Sequence, residues 1–160
     1  MGLKFTLEEI IKLALKIEES GYIFYQKYSE IAKSEEVKKV FDLLASEEKK
    51  HYEEYQNLLS RIPKHKMAEK LYLGNDEFYL KVLARESIFS DNKSTETYMN
   101  SIKNDREALE LALNYEFDTI EFFNTLKKSV PLKEKSFVNT IILKERQHYK
   151  IIKQMLINMG

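Results

Sequence analysis

The chain has 160 residues, enough for one domain with a sizeable core. Lysine plus arginine and aspartate plus glutamate number 26 each, so no net basic field argues for nucleic acid, and the absence of cysteine excludes disulfides, thiolate metal sites and thiol catalysis. Lys4, Glu8, Glu9 and Lys12 interrupt any signal-peptide core, and no apolar run reaches the roughly 18 residues a membrane span needs, so a cytoplasmic protein with no membrane partner is expected. Four glycines and two prolines, with abundant Lys, Glu, Leu and Ile, favour an all-α chain.

Thr6-x-x-Glu9 is a capping box, which predicts a first helix over about 7–33. Its inward seam reads Leu7, Ile11, Ala14, Glu18, Gly21, Tyr25, Tyr28, Ala32, an alternation of fours and threes. Ser34 before Glu35 and Glu36 caps a second helix over about 35–61, ending before Pro63. Its seam is Val37, Phe41, Leu44, Glu48, His51, Tyr55, Leu58. The short turn makes these two helices antiparallel neighbours.

A crossover over about 62–104 comes next, with a helix from Asp76 to about Phe89 and a short one capped by Ser94 or Thr95. Lys64-His65-Lys66 within it reads as solvated surface. Such a crossover lets the second and third long helices run parallel. The third helix is predicted over about 105–128, capped by Asn104 or Asp105, with the seam Leu109, Ala112, Glu116, Thr119, Phe123, Leu126. Pro131 opens the fourth, over about 132–158, with the seam Val138, Ile141, Glu145, His148, Ile152, Met155. The whole chain is thus expected to form one domain.

Each seam is broken once by glutamate where an apolar residue belongs. Two of the breaks continue as Glu48-x-x-His51 and Glu145-x-x-His148, which put a carboxylate and an imidazole on one helical face. The pattern repeats: Glu18 and Glu116 are 98 residues apart, and Glu48–Glu145 and His51–His148 are 97 apart. All four glutamates fall near helix midpoints, hence at one level of the bundle. Burying a carboxylate costs several kcal/mol, and four together repel one another. A cluster of cations compensates all four, since four negative charges balance two divalent ions and leave two neutral imidazole ligands. The neighbours Glu19 and Glu47 are out of phase and are expected to face outward. Core packing is the first reading for Tyr22, Tyr25 and Tyr55, and Tyr25, in phase with Glu18, is the best candidate for a phenol that donates an electron or a hydrogen bond to an oxygen species at such a site. Phe24, Phe122 and Phe123 read as shielding core.

Ala14-Leu15-Lys16-Ile17-Glu18 with Phe24-Tyr25, Glu48-x-x-His51, Ala112-Leu113-Asn114-Tyr115-Glu116 with Phe122, and Glu145-x-x-His148 together resemble the ferritin-like di-iron carboxylate superfamily. The likeness is greatest to its rubrerythrin branch. The resemblance implies a ferritin-like four-helix bundle of two helical hairpins joined by a long helix-containing crossover. It also implies Glu18, Glu48, His51, Glu116, Glu145 and His148 as ligands of two iron ions, with Glu48 and Glu145 bridging. Ligand chemistry by itself admits manganese or zinc as well.

The chemistry implied is that of an oxidoreductase, in which ferrous iron is oxidised and hydrogen peroxide or dioxygen is reduced. A homodimer is expected. Two departures stand out. Full-length rubrerythrins carry a four-cysteine rubredoxin-like domain, and this chain has no cysteine, so electrons must come from a separate donor such as a rubredoxin. The extra glutamate one turn after the third-helix ligand is Thr119 here. Two other functions fit the same ligands: iron binding or storage without sustained turnover, and a structural bundle around a static metal.

Overall fold

Thr6 starts the first helix: its hydroxyl accepts the Glu9 N–H at 3.2 Å. Ser34 caps the second helix through Val37 N at 3.4 Å, and Asn104 caps the third through Glu107 N at 2.9 Å. The computed structural model describes residues 5–63, 97 and 99–160. Its long helices are α1 (Leu7–Ile31), α2 (Glu35–Ser60), α3 (Asp105–Leu126) and α4 (Lys135–Met159). The crossover helix expected from Asp76, the caps expected at Ser94 or Thr95 and the Lys64-His65-Lys66 cluster lie outside the described residues.

The helix ends differ slightly from the sequence reading, each for a local reason. α1 stops at Ile31 because the next backbone donors turn elsewhere. Lys33 N and Ser34 N bind the Asp105 carboxylate, at 3.1 and 2.8 Å, instead of helix carbonyls. α3 stops at Leu126, and its last turn tightens into a 3-10 turn over Lys127–Ser129. Beyond Pro131 the chain first makes another 3-10 turn, Leu132–Glu134, so α4 starts three residues later than the proline suggests. Such tightening is the usual way helix termini satisfy their free carbonyls and N–H groups.

Cross-helix contacts set the directions. Phe5 N donates to Ser129 O at 3.0 Å, and Tyr28 Oη donates to Asp105 at 3.1 Å. The start of α1 therefore lies by the end of α3 and its end by the start of α3, which makes the two antiparallel. Tyr55 packs edge-on against Phe137, and Lys144 pairs with Glu54, which sets α2 antiparallel to α4. With α1 and α2 joined by three residues and packed along each other, α2 and α3 must run parallel. That is the ferritin-like arrangement of two hairpins.

The core follows the seams. Val37, Phe41, Leu44, Leu109, Ala112, Leu126, Val138 and Ile152 are fully buried, and only the outermost seam positions, such as Leu58 and Met155, are half-buried. Phe24, Tyr25, Tyr28 and Phe41 form one aromatic cluster, with the Tyr28 and Phe41 rings 5.0 Å apart. Edge and offset contacts of this kind add to area burial and hold ring orientation. Among the described residues, no helix is long and apolar enough to cross a membrane.

Candidate metal centre

Glutamate at the middle of each seam is buried because its helix has no other face to offer. On α2, Leu44 and Ala45 precede Glu48 and Tyr55 follows His51, so burying that stripe carries both polar residues inward. Glu18, Glu48, Glu116 and Glu145 are each 1% exposed or less, and His51 and His148 are 5% and 2% exposed. All six side chains meet at the bundle centre.

They form two overlapping sets. One oxygen or nitrogen from each of Glu18, Glu48, His51 and Glu145 lies within 4.8 Å of the others, and the same holds for Glu48, Glu116, Glu145 and His148. Glu48 and Glu145 belong to both sets. Glu48 spans them visibly: Oε2 is 3.7 Å from His51 Nδ1 and Oε1 is 3.5 Å from His148 Nδ1. His51 Nδ1 also lies 3.5 Å from Glu18, and His148 Nδ1 lies 3.5 Å from Glu116 and 3.9 Å from Glu145. The two imidazoles stack at 5.3 Å, where the halves of the repeat meet.

The donors fit a pair of cations. Glu18 Oε2, Glu48 Oε2, Glu116 Oε2, both Glu145 oxygens, and Nδ1 of His51 and of His148 are buried without a hydrogen-bond partner. Orphaned buried acceptors on this scale are rare in a folded protein, and all of these point into one small volume. Hard carboxylate oxygens with imidazole nitrogen are a set that suits iron, manganese or zinc.

The electrostatics of the metal-free centre show the same strain. Burial, then the charge of Glu48, pushes Glu18 well above the usual 4.5. Burial pushes Glu48 and Glu145 up as well, reinforced by Glu145 on the first and by Glu18 on the second. Burial also acts on Glu116, but the nearby His148 imidazole outweighs it and holds that carboxyl low. For His148, burial is likewise overcome, here by Glu116, and its value rises to about 9. Burial and the neighbouring His148 lower His51 to about 4.

Tyr25 is fully buried, and its phenol donates a hydrogen bond to Glu116 Oε1, across the bundle from its own helix. Tyr55 is buried with its ring against His51, while Tyr22 is half-buried and packs against the edge of the core. Thr119 is buried, and its hydroxyl turns back to the Tyr115 carbonyl at 2.9 Å. Glu19 is exposed as its phase requires. Glu47 departs from the outward orientation expected of it. It is half-buried, its carboxylate 3.9 Å from His51 Nε2, because it sits one turn before His51 and can lean over the ring.

Two supporting residues escaped the sequence reading. Asp105, taken as one of two candidate caps for α3, instead accepts hydrogen bonds from Tyr28 Oη, Lys33 N and Ser34 N and ties the α1–α2 turn to α3. Tyr115 donates to the Ile17 carbonyl at 2.9 Å, beside Glu18. The seam phase excludes Tyr115, so only its place next to Glu116 in the repeat could have drawn attention to it.

A four-helix bundle that gathers four glutamates and two Glu-x-x-His histidines at one level is a ferritin-like carboxylate bundle whose buried carboxylate and imidazole groups could hold metal. The family model for rubrerythrin matches residues 9–156, and the chain belongs to that family. Membership implies iron binding. A crystal structure from Thermotoga maritima, described as that of a ferritin-like diiron-carboxylate protein, is similar over 100% of both chains, with a TM-score of 0.65 and 22% sequence identity. At that identity the likeness establishes the fold. No curated protein matches the chain.

Proposed function

We propose that this protein is a non-haem di-iron oxidoreductase of rubrerythrin type, oxidising ferrous iron while reducing hydrogen peroxide or dioxygen. The observation that carries the reading is the pair of four-ligand sets sharing Glu48 and Glu145. Glu18 and His51 would hold one ion, Glu116 and His148 the other, and Glu48 and Glu145 both. Two ferrous ions held there would supply two electrons, enough with two protons to reduce one hydrogen peroxide to two water molecules.

The chain's own groups prepare that site. Tyr25 fixes the Glu116 carboxylate with its hydroxyl and keeps a proton on Oη, since burial and Glu116 push the phenol well above its usual value. Leu44, Phe24, Phe123 and Ile141 are buried around the ligands and exclude bulk water. With no cysteine in the chain, electrons for repeated turnover come from a separate donor, such as a rubredoxin. A cytoplasmic homodimer is part of the same reading.

The test is anaerobic loading with ferrous iron followed by rapid mixing with hydrogen peroxide, read by near-ultraviolet absorption. One fast oxidation is expected, with further turnover only after a reductant is added. Glu48→Ala should abolish both phases, and Glu19→Ala, at an exposed residue beside Glu18, should spare them. A loaded protein inert to both peroxide and dioxygen would refute the oxidoreductase reading in favour of a static metal.

A further inference from the structure

Gly21 stands on the seam of α1 one turn after Glu18 and is buried. Glycine within a helix is less favourable than alanine, because it loses more backbone freedom on folding. Its surroundings give a reason for it. A Cβ at position 21 would lie 2.8 Å from Glu48 Oε1, 3.3 Å from Cδ and 3.5 Å from Cγ. The Glu48 carboxylate is therefore laid against the part of α1 that glycine leaves bare. That same Oε1 is the atom 3.5 Å from His148 Nδ1, while Oε2 faces His51.

The repeat sharpens the point. The position 98 residues later is Thr119, also buried, so the second half carries a side chain where the first half has none. Only on the α1 side is the seam cut back. A side chain at 21 need not break the helix, because the atom in its way is the movable end of Glu48. The displacement would fall on the carboxylate that reaches both ligand sets.

We infer that Gly21 is a positioning residue: its missing side chain reserves the space in which Glu48 spans both ligand sets, and a side chain there weakens binding of the divalent pair. This rests on the two-metal reading of the centre. Ferrous iron is the probe, titrated anaerobically into wild type, Gly21→Ala and Ser20→Ala. Ser20 is a buried neighbour whose hydroxyl donates to the Lys16 carbonyl of its own helix at 3.0 Å. Wild type and Ser20→Ala should bind two ions. Gly21→Ala should bind at least tenfold more weakly, its content falling toward one ion per chain.

A second measurement needs no metal. In chelated protein, Gly21→Ala should raise the melting temperature in a Glu48→Ala background, where the helical advantage of alanine is unopposed, and raise it less, or lower it, when Glu48 is present. This cycle also covers poor folding of the single variant. Gly21→Ala binding two ions at wild-type affinity, or shifting the melt equally in both backgrounds, overturns the inference and leaves the two-metal reading standing. A wild type that binds no ferrous iron overturns both.

Discussion

Replacing Glu48 and Glu145 by glutamine should stabilise the metal-free protein and remove the metal-bound state. Both carboxyls are 1% exposed, and burial pushes each well above the usual 4.5. An upward displacement costs about 1.4 kcal/mol of stability per pH unit, so the destabilisation per carboxyl is on the order of 1–3 kcal/mol. Glutamine has nearly the same shape and needs no proton. One substitution should thus stabilise the chelated protein by about 1–3 kcal/mol, which for a chain of this size raises the melting temperature by up to about 10 °C. The second should add less, because the two groups share one field and their effects are coupled. Loaded protein should respond the other way. A site saturated a thousandfold above its dissociation constant contributes about 4 kcal/mol, and that gain should vanish when the shared ligands are neutral and weak. The assay is thermal unfolding by circular dichroism, with chelator and then with anaerobic ferrous iron. Chelated variants that melt at or below wild type would refute the argument, as would variants that keep the full metal-induced shift.

Tyr25→Phe removes the phenol donor from the buried Glu116 carboxylate, and the chelated protein should lose about 1–2 kcal/mol. An unchanged melt together with unchanged iron affinity would show that the phenol does not hold Glu116. Asp105→Ala strands the Tyr28 hydroxyl and two backbone donors, so loaded and chelated protein should both lose about 3 kcal/mol while still differing by the same metal-induced shift. A lowered iron content in that variant would show that Asp105 serves the centre and not only the turn. Stability of the chelated protein should rise as pH falls from 9 to 6.5. Across that window the folded state holds on His148, at about 9, a proton that the unfolded chain does not hold, and the raised Glu18, Glu48 and Glu145 act in the same direction. His51, held near 4, opposes the trend only below 6.5, and the low Glu116 only near and below 4.5. Denaturant titrations that are flat or falling over that window would contradict the shifts.

The class of fold and the six ligand candidates were legible in the sequence because both depend on phase along a helix. Phase is local: once Leu44, Tyr55 and Val37 face inward, Glu48 and His51 must face inward too, whatever the rest of the chain does. The repeat of 97 to 98 residues then put all four glutamates at one level. Distances between helices are another matter, because they depend on crossing geometry and on rotamers chosen against neighbours far away in sequence. Phase placed Glu47 outside, but the reach of a flexible side chain brought it over His51. It marked Asp105 as a helix start, whereas the partner of that carboxylate is a turn more than seventy residues earlier. It put Gly21 in the seam without a reason, and the reason is an oxygen on the facing helix, 2.8 Å from where a Cβ would stand. Helical phase thus set which residues turn toward the centre, because it is local, while packing between helices set which donor atoms come together, which side chain meets another across the bundle and where the seam lies too close for a Cβ.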